Sequence, residues 1–166
     1  MAVNKAVFSF VDNDDLEELI NNMRPNDYTE LMAAKEGRVI STAGYLQELV
    51  KDCDMAYVCK YNKRVLFASG LSKHADTEGL GVFWLLTTKE VEKHKIAYAK
   101  AVKTLFSKYL AYCYKGIYTH IMQSYSVAIK AAEILGFKKV GEEVLDNTKH
   151  FIYILLGDNV DGKHSI

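Results

Sequence analysis

Two carboxylates, Asp76 and Glu78, sit in the polar stretch "SKHADTEGLG" immediately ahead of the apolar run "VFWLLTT". Acids at the mouth of a strand can take a proton from an incoming group, so these two are either candidate general bases or simply an exposed acidic loop. Downstream, "TTKEVEKHKIAYAK" places Lys93 and Lys95 where two cations could hold an anionic ligand, with Glu92 opposing them. Histidines occur at 74, 94, 120, 150 and 164. None is paired at i, i+4 and no His-Glu-x-x-His is present, so no metal site is expected. His120 and His150 fall in strand-like segments, from which they could approach each other or a cleft. "EGLG" lacks the Lys-Ser/Thr of a phosphate loop and reads as a turn. Cys53, Cys59 and Cys113 are odd in number and fit no zinc or redox spacing, so free thiols made in a reducing compartment are expected.

The elements that must position these groups follow from periodicity. "KAVFSFV" reads as a first strand running into Asp12-Asn13-Asp14-Asp15, acids suited to a helix start. Leu16, Leu19, Ile20 and Met23 then mark an amphipathic helix. A second helix is expected from about Asn26-Asp27 to Gly37, and a third over 42–51. "MAYVCKYNKRVLFASGL" predicts a hairpin turning at Asn62-Lys63. "VFWLLTT" predicts a strand covered on both faces. Thr87 and Glu90 predict a capping box for one long helix over 89–115, with Val91, Tyr98, Val102, Leu105, Phe106, Tyr109, Leu110 and Cys113 inward. "GIYTHIM" is a further strand. A short helix follows from about Ser124, with Val127, Ala128, Ala131, Ile134 and Leu135 inward and Gly136 as its left-handed cap. A last hairpin, 137–145 and 150–156, turns at Asp146-Asn147-Thr148. The expected fold is α/β (α+β): a mixed, mostly antiparallel sheet of about seven strands with helices on both faces. One domain over 1–156 and a polar tail over 157–166 are expected.

At 166 residues, 49% hydrophobic and 25% charged, the composition is that of an ordinary globular chain. Acidic and basic residues cancel at 21 each, which gives no overall drive toward nucleic acid or an anionic membrane. No long apolar run is present, so neither a signal segment nor a membrane span is expected. Eleven tyrosines is a high count, and Tyr109, Tyr112, Tyr114, Tyr118 and Tyr125 cluster where they either form a protein–protein contact face or cap the core with their hydroxyls in water.

This element order, with "AIKAAEILGF" near its end, resembles the Gcn5-related N-acetyltransferase (GNAT) superfamily over nearly the whole chain. The resemblance implies an acyl-CoA site built from two motifs. In one, Asn-x-x-Ala-x-x-x-Tyr-x-x-x-Gly-Phe, alignment on Gly136 and Phe137 matches Ala128 to the alanine. It puts Tyr125 for the asparagine and Ala132 for the tyrosine whose hydroxyl would protonate the departing thiolate. In the other, Gln/Arg-x-x-Gly-x-Gly/Ala, the backbone amides cradle the pyrophosphate. Taking Ala97 as the last small residue puts Lys95 at the first glycine and Glu92 at the basic position. Under an acyltransferase reading, Lys93, Lys95, Ile96 and Ala97 would bind acetyl-CoA, and Asp76 or Glu78 would serve as the base.

A second resemblance covers 82–156. The strand 82–88, the glycine-free helix 89–115, the strand 117–122, the helix 125–136 and the closing hairpin resemble GNAT-like internal virion proteins of short-tailed phages. The implied role is non-catalytic: a virion component, made in the bacterial host cytoplasm, docking to other virion proteins or to its own copies, with no cofactor. The leading expectation is that docking role. An active N-acyltransferase is the alternative, and a phage protein that binds a host enzyme is a third.

Overall fold

The computed structural model describes residues 5–35 and 37–157. Seven strands form one mixed sheet: β1 (Val7–Phe10), β2 (Met55–Tyr61), β3 (Arg64–Lys73), β4 (Leu80–Thr87), β5 (Gly116–Met122), β6 (Lys138–Leu145) and β7 (Thr148–Leu156). Their order across the sheet is β1-β2-β3-β4-β5-β7-β6. Every neighbouring pair is antiparallel except β4 and β5. Six helices connect them: α1 (Asn13–Asn22), α2 (Pro25–Ala34), α3 (Thr42–Asp52), α4 (Glu90–Lys93), α5 (Lys95–Tyr112) and α6 (Ser126–Ile134). The described chain ends at Gly157, so the rest of the expected tail, with His164, lies outside the described residues.

Local chemistry accounts for most element ends. Asp12 and Asp15 cap α1 reciprocally, each carboxylate accepting the other's backbone N–H. Pro25 opens α2, where its missing N–H costs nothing, and Ser41 Oγ accepts the Gly44 N–H at the start of α3. Asn62 and Lys63 take positive φ of 51° and 65°, as the predicted tight turn requires, and Asp146 and Asn147 do the same between β6 and β7. Gly136 has φ of 95° at the end of α6.

Two apolar cores flank the sheet. Leu16, Leu19, Leu31, Leu46, Val58, Val65 and Leu86 join α1–α3 to one face. Phe67, Phe83, Val102, Leu105, Phe106, Ile117 and Phe137 join α5 and α6 to the other. Helices thus cover both faces, as expected. Trp84 is fixed on the α1–α3 side: its indole N–H reaches Cys53 Sγ at 3.2 Å, and its carbonyl accepts Ser69 Oγ–H at 2.6 Å. Gly70 lies opposite Trp84 in the β3–β4 ladder. A Cβ there would come within 2.5 Å of both Cys53 Sγ and the indole nitrogen, so this close approach requires glycine.

Four expectations are corrected. Thr87 does not cap the long helix; its hydroxyl donates to Asp27, and Thr88 Oγ1 accepts the Glu90 N–H instead. That helix is not continuous over 89–115, because His94 (φ −131°, ψ 48°) breaks it into α4 and α5. On α6, Val127 and Ile134 are 62% and 76% exposed, since the face that packs inward is Ala128, Ala132 and Leu135 at i, i+4, i+7. The polar loop is shorter than 72–81, because β3 and β4 pair as far as Lys73 and Gly81.

Gly70→Ala is expected to destabilise the protein by about 1–3 kcal/mol through overpacking. It should also shift the emission of Trp84, the single tryptophan. Chemical denaturation followed by fluorescence measures both, and an unchanged midpoint would contradict the packing described.

Candidate functional site

β4 and β5 pair at only three positions, Leu80 with Gly116, Gly81 with Ile117 and Val82 with Tyr118. Beyond these, β4 runs on to Thr87 and β5 to Met122 without pairing, so the two strands part into a V. A cavity of about 650 Å³ occupies the gap and opens to both sides of the sheet. On the α5–α6 side it is lined by Phe83, Leu85, Tyr98, Val102, Ala128 and Ala132. On the other it meets Leu31, Leu49, Val82, Trp84 and Leu145.

The far ends of the two strands are engaged by the α1–α2 elbow. Arg24 N–H donates to the Thr87 carbonyl at 3.1 Å, and Lys89 N–H donates to the Asn22 carbonyl at 2.9 Å. One carboxylate then spans the gap. Asp27 accepts the Thr87 hydroxyl at the end of β4, the Tyr125 hydroxyl (3.3 Å) at the start of α6, and Arg24 Nε (3.4 Å). Arg24 also lies over the Tyr125 ring, 5.6 Å from its centroid. One turn further along α2, Glu30 Oε1 accepts the Met122 N–H at 2.6 Å, the backbone donor at the end of β5.

Glu30 is thus held in a largely apolar wall, with only one carboxylate oxygen engaged among the described residues. Burial pushes its pKa up to about 8; the Met122 N–H opposes this shift and nearby Asp27 adds to it. Burial also raises Asp27, against the hydrogen bond from Thr87 and the charge of Arg24. The Tyr98 hydroxyl lines the same cavity, is pushed up to about 12 by burial, and has no hydrogen-bond partner among the described residues.

At one end the cavity reaches Glu92 and Lys95. There the break at His94 exposes the first turn of α5, which has no side-chain cap. Lys95, Ile96 and Ala97 are its first three residues, and their amides lack acceptors within the helix. Such a terminus favours an anion. The predicted cofactor residues Lys93, Lys95, Ile96 and Ala97 all line a shallow depression there, with Tyr61, Glu92 and His94. Lys93 is engaged by Glu90 at 3.1 Å, whereas Lys95 is in no ion pair among the described residues.

Other expectations fare differently. Asp76 and Glu78 sit in the exposed loop before β4 and do not line the cavity; the acids that do are Asp27 and Glu30, with Asp52 and Glu92 toward its edges. In the sequence Asp27 marks only the start of the second helix, and no motif singles out Glu30. The one available signal was the i, i+3 spacing of two acids on a helix that also carries Leu31. His120 and His150 do share one face of β5 and β7 and both line the cavity. His120 Nε2 is 2.7 Å from Glu143, and His150 is buried with Nδ1 against the Thr148 carbonyl. The tyrosines do not form one surface. Tyr109 is buried and donates to Ser69 Oγ, and Tyr125 is buried against Asp27. Cys59 and Cys113 are buried and Cys53 half-buried, all three unpaired. Among the described residues no helix is long and apolar enough to cross a membrane.

A scan against protein-family models finds no match for this sequence, and a search of curated proteins finds none either. Solved structures do match. An N-acetyltransferase from Staphylococcus aureus Mu50 superposes with a TM-score of 0.67 at 14% identity, over 92% of this chain and 98% of that one. A GNAT-family acetyltransferase from Bacillus anthracis gives 0.66 at 11% identity, over 94% and 97%. A candidate acetyltransferase from Salmonella typhimurium, solved with its cofactor acetyl-CoA, gives 0.61 at 13% identity, over 98% of both chains. These neighbours are described as acetyltransferases, and the finer expectation of a likeness to internal virion proteins has no counterpart among them. At such identities the likeness is one of architecture, and it establishes that this chain has the GNAT fold.

Proposed function

We propose that this protein is an acyl-CoA-dependent N-acyltransferase. The observation that carries the reading is the gap between β4 and β5: an apolar passage that runs from the bared first turn of α5 to a carboxylate with a free oxygen, Glu30. That most of the neighbouring structures are described as acetyltransferases supports this over the virion-docking role. Tyr109 and Tyr125 are buried, so they offer no part of a tyrosine contact face.

The residues fit such a donor in two places. The α5 amides of Lys95, Ile96 and Ala97, with the Lys95 ammonium, are suited to the pyrophosphate, and the edges of β4 and β5 to a flexible arm. Glu92 is the misfit, an acid on the same depression. When bound, acyl-CoA supplies an acyl group activated as a thioester. Glu30 takes the proton from the acceptor ammonium or amine, a task suited to a carboxyl with a pKa of about 8. Ala132, at the position of the family tyrosine, has no proton to return; Tyr98, on the same cavity, has. Asp27 acts on neither group. It ties the end of β4 to the start of α6 and so sets the width of the gap.

Isothermal calorimetry with acetyl-CoA tests the donor site. Binding is expected to weaken roughly tenfold in Lys95→Gln and to tighten in Glu92→Gln, since only the charge beside the phosphates changes. Equal affinity in wild type and both variants would place the nucleotide elsewhere.

A second expectation concerns the proton. Wild-type kcat/KM should rise with pH to a plateau above about 8, because the base works unprotonated. Glu30→Gln should cost on the order of 10²–10⁴ in rate and remove that limb. Stability should move the opposite way. Folded Glu30 keeps its proton to about pH 8 while an unfolded glutamate loses it near 4.5, so stability falls as pH rises between them. Glu30→Gln should therefore raise Tm at pH 8 more than at pH 5. A pH profile unchanged by the substitution would remove Glu30 from the reaction.

A further inference from the structure

We infer that the acceptor is an amine carried on an apolar body, aromatic or alkyl, and that its body lies in the chamber between α2, α3 and Trp84. The inference rests on the acyltransferase reading and adds the class of acceptor. The passage between β4 and β5 emerges on the α1–α3 side into a space walled by Leu31, Leu49, Val82, Trp84 and Leu145. Trp84 is a fixed panel, since Cys53 holds its indole N–H and Gly70 leaves room beneath it.

Several of the polar groups around this chamber are engaged within the protein. His120 Nε2 is paired with Glu143 and His150 Nδ1 with the Thr148 carbonyl, while the second ring nitrogen of each has no partner among the described residues. Asp27 already accepts from Thr87, Tyr125 and Arg24. The free oxygen of Glu30 is left to receive a donor from the ligand. Asp52 also lines the cavity, at its exposed outer edge.

The unengaged oxygen of Glu30 beside an extended apolar wall suits an amine on an apolar body. An amino sugar, a hydroxyalkylamine or a peptide amide would carry further donors and acceptors against the apolar wall, where they would lose water without gaining partners. An aryl or alkyl body has none to lose, and it gains with every square ångström removed from water. The amine nitrogen meets Glu30, and the body lies along Trp84 and Leu49.

Two readouts test this. The first is direct binding without the acyl donor, followed through Trp84 fluorescence, which is unambiguous because the chain has one tryptophan. 2-Phenylethylamine and hexylamine are expected to bind at least tenfold tighter than ethanolamine, glucosamine or a linear diamine, and Glu30→Gln should weaken them. The second is kcat/KM with saturating acetyl-CoA over the same amines, where the same order is expected. Ala34→Trp, at the exposed C-terminal end of α2 and on the cavity wall, should lower kcat/KM for the apolar amines while acetyl-CoA affinity stays unchanged. Acetyl-CoA binding and turnover with the polar amines or the diamine preferred would overturn the acceptor class alone. Failure of acetyl-CoA to bind at all would overturn the acyltransferase reading, and the acceptor assignment with it.

Discussion

The parallel ladder between β4 and β5 stops after three residue pairs, and much of the rest of the molecule answers that fact. Strands that part in the middle of a sheet covered on both faces leave backbone groups with neither water nor a neighbour, which a folded chain must satisfy some other way. Here the α1–α2 elbow does so. Its backbone takes the Thr87 carbonyl, its Glu30 carboxylate takes the Met122 N–H, and its Asp27 carboxylate joins the two sides. The cavity exists because side chains from α2 end the strands' exposure without filling the space between them.

That solution has an electrostatic consequence. Two carboxylates are drawn into a largely apolar setting, where their charged forms are disfavoured. Arg24 offsets Asp27, which also collects two hydroxyl donors, whereas Glu30 has a single amide. Burial raises both, and the less compensated acid, Glu30, is also the one with an unengaged oxygen and a place on the cavity wall. A group that weakens the fold at neutral pH and is presented to an apolar cleft is where function and stability pull in opposite directions.

The start of α5 illustrates how a motif can change while helix-terminal amides stay bared. Glycines in a phosphate loop serve to present backbone amides; what the phosphate meets is the amides. In this chain the break at His94 bares the first turn of α5 without any glycine between Gly81 and Gly116. His94 is braced by Tyr61, ring centroids 4.7 Å apart, and by Glu90. The side chain of Lys95 then takes space that glycine would have left open, but brings a charge of the right sign.

How much could be read from the sequence depended on range. Strands, hairpin turns, the α6 cap and the strand count followed from alternation, from Asn-Lys and Asp-Asn pairs and from Gly136, all of which act within a few residues. Lys93, Lys95, Ile96 and Ala97 are near neighbours in the chain and so could be grouped from the sequence, but the break at His94 that parts Lys93 from the other three could not. What local pattern could not supply was the partnership of distant groups. Thr87 looks like a helix cap until Asp27, sixty residues earlier in the chain, takes its hydroxyl. Asp27 and Glu30 look like ordinary acids on a short helix until Tyr125 and the Met122 amide arrive from over ninety residues away. The order of polar and apolar residues determined the layers of this protein. Which acids lost their water, and so acquired the chemistry of a site, was decided only when the sheet opened and α2 packed across the opening, because desolvation belongs to surroundings that no short segment contains.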